Sequence, residues 1–114
     1  MKPPAVRIIM SAYNAAKYIV AAVDSIMAQT LSDWKLVIVD DGSTGSTVDI
    51  VRAMNDARIS LIQQDNSGVE AARQKGFEGC QAEFVARMDA DDLMAADRLA
   101  TQVATSGRTL RSGQ

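Results

Sequence analysis

Short apolar runs alternate with helical patterns along the chain. Four runs have the length of a strand, and the first three are rich in β-branched residues: 7–10, 36–39, 59–62 and 84–88. Residues 36–39 show no polar alternation, which is typical of a strand that is covered on both faces. The runs therefore predict four strands, of which the second is covered on both faces.

The segments between the runs carry apolar residues at helical spacing. This spacing predicts helices over residues 15–29, after Ser46 and over residues 95–105. A further helix is expected to begin at Ser67, where Ser67-Gly68-Val69-Glu70 matches a capping box, and to end near Cys80. The β-α-β-α-β-α-β-α order predicts an α/β domain over residues 1–105, an open and mostly parallel sheet with helices on both faces. Residues 106–114 are polar and are predicted to form a disordered or frayed tail.

Composition narrows the classes of function. The 114 residues suffice for one domain, and a net charge of −2 argues against nucleic acid as a partner. The absence of histidine excludes His-based zinc sites and Ser-His-Asp triads, so any metal must bind oxygen ligands. Cys80, the single cysteine, is interpreted as a small buried apolar residue. Neither a signal peptide nor a membrane-spanning stretch is evident, so a cytoplasmic location is predicted, free or peripheral to the inner face of a membrane.

The segment that follows each predicted strand is polar, and ligands of open parallel sheets bind at this edge. After the fourth strand comes Asp89-Ala90-Asp91-Asp92. Three carboxylates so close repel one another unless a cation lies among them, although Asp92 could instead cap the next helix. Their position after a buried strand favours Mg²⁺ or Mn²⁺ together with a phosphorylated ligand.

Three further candidates face the same edge, each with a structural alternative. Asp40 and Asp41 follow the second strand and could bind a ribose or a base, or could form a capped turn with Gly42. Tyr13 could lie against a base or pack at the rim of the sheet. Arg73 could reach a diphosphate or be an ordinary solvated arginine. The glycine-rich turn of dinucleotide-binding proteins is missing after the first strand.

Taken in order, these loops resemble the family-2 glycosyltransferases of the GT-A fold. The resemblance extends from about Val6 to Gln102, and its motifs are Ser11-Ala12-Tyr13-Asn14, Val39-Asp40-Asp41-Gly42-Ser43, Asn66-Ser67-Gly68-Val69 with Arg73, and Met88-Asp89-Ala90-Asp91-Asp92. It implies that the chain is the nucleotide-sugar-binding half of such an enzyme. The implied activity is metal-dependent transfer of a sugar, with a UDP-sugar as the expected donor and with inversion at the anomeric carbon, in polysaccharide or cell-envelope biosynthesis.

The resemblance also assigns roles to residues. Asp41, helped by Asp40, would hold the base, and Ser11, Ala12 and Tyr13 would line that pocket. Arg73 would lie near the base and the diphosphate. Asp91 would be the main ligand of Mn²⁺ or Mg²⁺, with Asp89 facing the donor ribose or metal-bound water and Asp92 in support.

The catalytic base and the acceptor site have no counterpart in this chain, because the family places them in a later segment. The chain is therefore expected to be truncated before the acceptor site, and the acceptor, whether glycan, lipid or protein, is unassigned. Two alternatives remain at this point. One is a non-catalytic nucleotide-binding or regulatory module; the other, more remote, is a phosphatase-like domain that uses Asp89 or Asp91 as its nucleophile.

Overall fold

The fold consists of four strands that alternate with four helices. The computed structural model describes residues 4–105. Their elements in chain order are β1 (Val6–Ala12), α1 (Ile19–Met27), β2 (Trp34–Asp41), α2 (Thr47–Arg52), β3 (Ile59–Gln64), α3 (Val69–Phe77), β4 (Phe84–Asp89) and α4 (Arg98–Thr105). The predicted order of elements is confirmed. The predicted tail at 106–114 lies outside the described residues.

The four strands form one sheet in the order β3-β2-β1-β4, and all their pairings are parallel. Parallel neighbours place their carboxyl ends at one edge. The register makes this specific, because Ser11 lies opposite both Val39 and Asp89, and Ala12 lies opposite Asp40. The acidic segments that follow β2 and β4 are therefore brought to the two sides of the end of β1.

Helices cover both faces of the sheet, as the sequence predicts. On one face, Ile26 of α1, Val51 of α2 and Leu99 of α4 belong to the main core cluster. On the other face, a smaller cluster joins Ala72 of α3 to Val37 and Val39 of β2. The strand β2 is buried on both faces, which explains why its sequence lacks polar alternation.

The beginning of α3 differs from the prediction. This helix begins at Val69 rather than Ser67, and its N-cap residue Gly68 has φ of 99° and no side-chain cap. The capping box is therefore wrong. The helix begins later because the backbone N–H groups of Ser67 and Gly68 donate to the Asp41 carboxylate. These two residues therefore belong to a loop that is held by β2.

The opposite end of α3 lies very close to the sheet. A Cβ atom added at Gly76 would approach Cγ2 of Ile9 to 2.5 Å, well inside a normal contact. The Gly76 carbonyl also accepts a hydrogen bond of 3.0 Å from the Arg7 guanidinium. Glycine at this position therefore sets the distance between α3 and β1.

Two other expectations can be compared with the described residues. Cys80 is half-buried, so the expectation of a fully buried thiol is wrong. It follows α3, where the chain has already left the sheet. Among residues 4–105, no helix has both the length and the apolar character needed to cross a membrane.

Candidate functional site

A cleft of about 280 Å³ lies at the carboxyl edge of the sheet. Its lining includes most of the residues that the sequence singles out, namely Ser11, Ala12, Tyr13, Asp41, Asp89 and Asp91. Asn14, Ala15, Tyr18, Val69 and Ala90 complete it. Of the predicted set, Asp40, Arg73 and Asp92 lie outside this lining. The cleft has carboxylates on two sides and the exposed ring of Tyr13 on its rim.

The Asp41 carboxylate is held by four donors. Its Oδ1 accepts hydrogen bonds of 2.8 Å from the Gln64 amide and 2.7 Å from the Ser67 backbone. Its Oδ2 accepts bonds of 2.9 Å from the Gly68 backbone and 3.2 Å from the Asn66 amide. Because a carboxylate has about four lone-pair positions, this set saturates it. A hydrogen bond from a nucleotide base to Asp41 would require one of these donors to move.

The same donors stabilise the charged form of Asp41. The Gln64 hydrogen bond, followed by that from the Ser67 backbone, lowers the pKa of this carboxyl from its ordinary value. Burial opposes the shift, and the Gly68 backbone reinforces it. Asp41 is therefore a fixed negative charge that joins the end of β2 to the beginning of α3.

The side chain of Asp40 turns away from the cleft. Its Oδ2 accepts the Ser43 backbone N–H at 3.0 Å, and its Oδ1 accepts the Ser43 hydroxyl. The side chain is buried within the turn after β2. Gly42 in this turn has φ of 82°, which glycine adopts without strain. This is the capped turn that the sequence left as an alternative; the direct contact of Asp40 with a base stays a prediction.

Three carboxylates gather at the end of β4. Asp89, Asp91 and Asp92 each offer an oxygen, and these oxygens lie within 4.8 Å of one another. Asp92 also accepts the Asp89 backbone N–H at 3.0 Å, which closes the turn after β4. The helix α4 begins only at Arg98, so Asp92 does not cap it. Hard oxygen ligands in this arrangement suit Mg²⁺ or Mn²⁺.

Contacts to neighbouring elements fix this acidic loop. The Ser11 hydroxyl donates to Asp89 Oδ1 at 2.9 Å, and the Ala90 N–H donates to the Ser11 carbonyl at 3.1 Å. Beyond the acids, the Met94 N–H donates to the Ser25 hydroxyl of α1 at 2.9 Å. The loop is thus anchored to β1 at its start and to α1 further on. The backbone that carries the three carboxylates is therefore held in place.

Arg73 lies beside the acidic loop rather than in the open solvent. Its guanidinium approaches Asp89 Oδ1 at 3.5 Å and Glu70 Oε2 at 3.4 Å. The side chain is 28% exposed, and it borders a second, larger cavity of about 580 Å³ between α3 and β4. Arg73 therefore links α3 to the carboxylates that follow β4.

Sequence reasoning assigned no role to several residues that shape the cleft. The Thr47 hydroxyl accepts the Ala15 N–H at 3.0 Å, and Asn14 Oδ1 accepts the Thr44 N–H at 2.9 Å. Gln64 and Asn66 hold Asp41, as described above. Asn14 has φ of 49°, a conformation that asparagine tolerates better than most residues. Of these residues, Asn14 alone has a residue type that indicates its backbone conformation. The roles of Thr47, Gln64 and Asn66 depend on contacts between distant segments.

The sequence and fold of the chain are similar to those of proteins that act on nucleotide sugars. The profile described as "Glycosyl transferase family 2" matches residues 7–109. EpsH of Bacillus subtilis strain 168, whose name places it among the glycosyltransferases, is 36% identical over 109 residues, covering 94% of this chain and 32% of EpsH. The beta-1,3-glucosyltransferase WfgD of Escherichia coli, named for UDP-Glc as donor, is 34% identical, covering 86% of this chain and 39% of WfgD.

Solved structures agree with these matches. TarS of S. aureus in complex with UDP-GlcNAc superposes with a TM-score of 0.84 at 29% identity, covering 90% of this chain and 31% of that one. A mannosyltransferase of Pyrobaculum calidifontis in complex with GDP-Man and Mn²⁺ superposes with a TM-score of 0.80 at 30% identity. The chain thus spans about a third of the length of these relatives. On its sequence and its fold, it belongs to glycosyltransferase family 2.

Proposed function

We propose that this chain is the donor-binding part of a glycosyltransferase that takes a sugar from a nucleoside-diphosphate sugar, foremost a UDP-sugar, and transfers it to an acceptor hydroxyl. The observation that carries the proposal is the cleft at the sheet edge. It joins residues of the β1, β2 and β4 ends, and an acidic cluster suited to a divalent metal forms one side. We further propose that the transfer inverts the configuration at the anomeric carbon.

The lining of the cleft contains two chemically different groups of residues. Tyr13 offers an aromatic face and Ala12 a small side chain, and we assign these residues to the base and ribose, with Asp41 as a fixed charge. We assign Asp89 and Asp91 to the diphosphate and its metal.

The acidic residues fit a divalent cation. Asp91 and Asp89 would hold it, and Asp92 would support them through its hydrogen bond to the Asp89 backbone. Bound there, Mn²⁺ or Mg²⁺ would neutralise charge on the nucleoside diphosphate as it leaves. The Ser11 hydroxyl orients Asp89 for this role, because it occupies one side of Oδ1 at 2.9 Å.

We propose that the acceptor site and the catalytic base come from a segment other than these 114 residues. EpsH, of which this chain spans 32%, is long enough to contain such a segment. We also propose a cytoplasmic location, free or at the inner face of a membrane.

The test is titration calorimetry with UDP, GDP and dTDP, each with and without MnCl₂. We expect binding that depends on the metal and discriminates among the bases. Asp91→Ala should abolish the metal-dependent part, whereas Asp24→Ala, an exposed acid of α1 outside the cleft, should not. Equal binding of all three nucleotides without metal would contradict the proposal. Sugar transfer in the presence of candidate acceptors then separates an enzyme from a non-catalytic nucleotide-binding module.

A further inference from the structure

Among the described residues, Arg73 is the cation that forms an ion pair with a proposed metal ligand, Asp89. One of its terminal nitrogens lies 3.5 Å from Asp89 Oδ1, the oxygen that also accepts the Ser11 hydroxyl. The other lies 3.4 Å from Glu70, whose side chain is 86% exposed. The positive charge that balances Asp89 in this structure therefore comes from α3.

The Arg73 guanidinium is poorly satisfied where it lies. Charge-assisted hydrogen bonds are ordinarily about 2.7–2.9 Å long, and both of its contacts are longer. Its Nε atom is buried and has no hydrogen-bond partner. A buried N–H without an acceptor is unfavourable, so the guanidinium would gain by moving to a position where more acceptors surround it. A diphosphate offers several oxygens of that kind.

The helix that carries Arg73 is fixed at both ends. At its beginning, Asp41 accepts the Ser67 and Gly68 N–H groups. Near its end, Gly76 lies against Ile9 and accepts a hydrogen bond from Arg7. Any rearrangement at the site therefore falls on the long side chain of Arg73, not on the backbone of α3.

A metal ion at Asp89 and Asp91 would meet this arginine at close range. Both are cations and both interact with the Asp89 carboxylate, so they compete for it and repel each other. A nucleoside diphosphate would remove the conflict, because its phosphate oxygens attract the guanidinium as well as the metal.

We propose that Arg73 is a resident counter-charge for Asp89 that competes with the divalent metal in the absence of donor and turns to the diphosphate when donor binds. This inference rests on the proposed function, and it makes a distinct claim: part of the cooperativity between metal and donor comes from Arg73. By linkage, UDP raises the affinity for Mn²⁺ by the same factor as Mn²⁺ raises the affinity for UDP.

The experiment is a titration of MnCl₂ into the protein alone and into the protein saturated with UDP. For the unmodified chain we expect UDP to raise the affinity for Mn²⁺. Arg73→Met should bind Mn²⁺ alone more tightly, by up to about fivefold for a partly exposed ion pair, and should lose part of the enhancement by UDP. Arg73→Lys keeps the charge and should retain the weaker binding of Mn²⁺ alone.

Lys75→Met is the matched control, because Lys75 lies on the same helix but pairs with Glu78 at 3.7 Å, away from the cleft. It should change neither titration. Fluorescence of the single tryptophan, Trp34, verifies that each variant is folded. Unchanged or weaker binding of Mn²⁺ alone by folded Arg73→Met overturns the inference and leaves the proposed function intact. An unmodified chain that binds Mn²⁺ neither with nor without UDP overturns both.

Discussion

The substitution Gly76→Ala tests how α3 is positioned, and its effect can be estimated from the structure. The added Cβ would lie 2.5 Å from Ile9 Cγ2 and 3.3 Å from Val39 Cγ2. Carbon atoms ordinarily approach to about 3.5–4.0 Å, so the first contact is short by about 1 Å. Ile9 is 1% exposed and cannot turn into solvent. The helix would have to move away from β1.

Two opposing terms set the size of the effect. Overpacking in a core costs about 1–3 kcal/mol, and alanine in place of glycine within a helix contributes about 1 kcal/mol of stabilisation. Since the clash is severe, we expect a net destabilisation of about 1–2 kcal/mol. With a urea slope of about 2 kcal/mol per molar, the unfolding midpoint would fall by roughly 0.5–1 M.

Urea unfolding is conveniently followed by the fluorescence of Trp34, the single tryptophan, which is buried. Gly45→Ala is the control, because a Cβ there meets nothing within 4 Å and the backbone φ is not positive. It should be neutral or slightly stabilising. In combination with Ile9→Ala, which removes the clashing methyl group, Gly76→Ala should cost less than it does alone. A Gly76→Ala variant as stable as the unmodified chain would refute this reasoning.

Two other predictions concern the carboxylates of the site. Hydrogen bonds lower the pKa of Asp41 in the folded chain, so its stabilising effect is present above the ordinary value near 3.8 and is lost as the pH falls through the folded pKa. Asp41→Asn should therefore be less stable at neutral pH, with a difference that narrows below about pH 4 in acid unfolding; a difference independent of pH would contradict this. Ser11→Ala removes the donor 2.9 Å from Asp89 and should weaken Mn²⁺ binding by about tenfold in calorimetry without lowering the urea midpoint. Unchanged Mn²⁺ affinity in Ser11→Ala would show that Asp89 needs no such orientation.

Much of the fold follows from the sequence because its signals are local. The apolar run of β2 lacks polar alternation, and the structure buries this strand on both faces. The polar segments after β1, β2 and β4 indicate the ligand edge, because parallel strands bring their carboxyl ends together. Gly42 has a positive φ, which agrees with the capped turn that the sequence offers as an alternative for Asp40 and Asp41.

The parts that were missed depend on contacts between distant segments. The capping-box pattern at Ser67 is a local signal, yet Asp41, 26 residues earlier, takes its N–H group instead. Register decides that Ser11 lies opposite Asp89, and the sequence does not encode that pairing in any short motif. Asp40 and Asp41 are neighbours in sequence, but side chains alternate along a strand. The Asp40 side chain therefore points into the turn after β2, and the Asp41 side chain points toward the cleft.

The most direct test of the account is the position of Mn²⁺ in crystals grown with UDP and MnCl₂, located by its anomalous scattering. We expect a single strong peak at the end of β4, within coordination distance of a carboxylate oxygen of Asp91, with the diphosphate beside it and the base toward Tyr13. A nucleotide bound in the cleft with no metal peak at Asp91, or with a peak elsewhere, would contradict it.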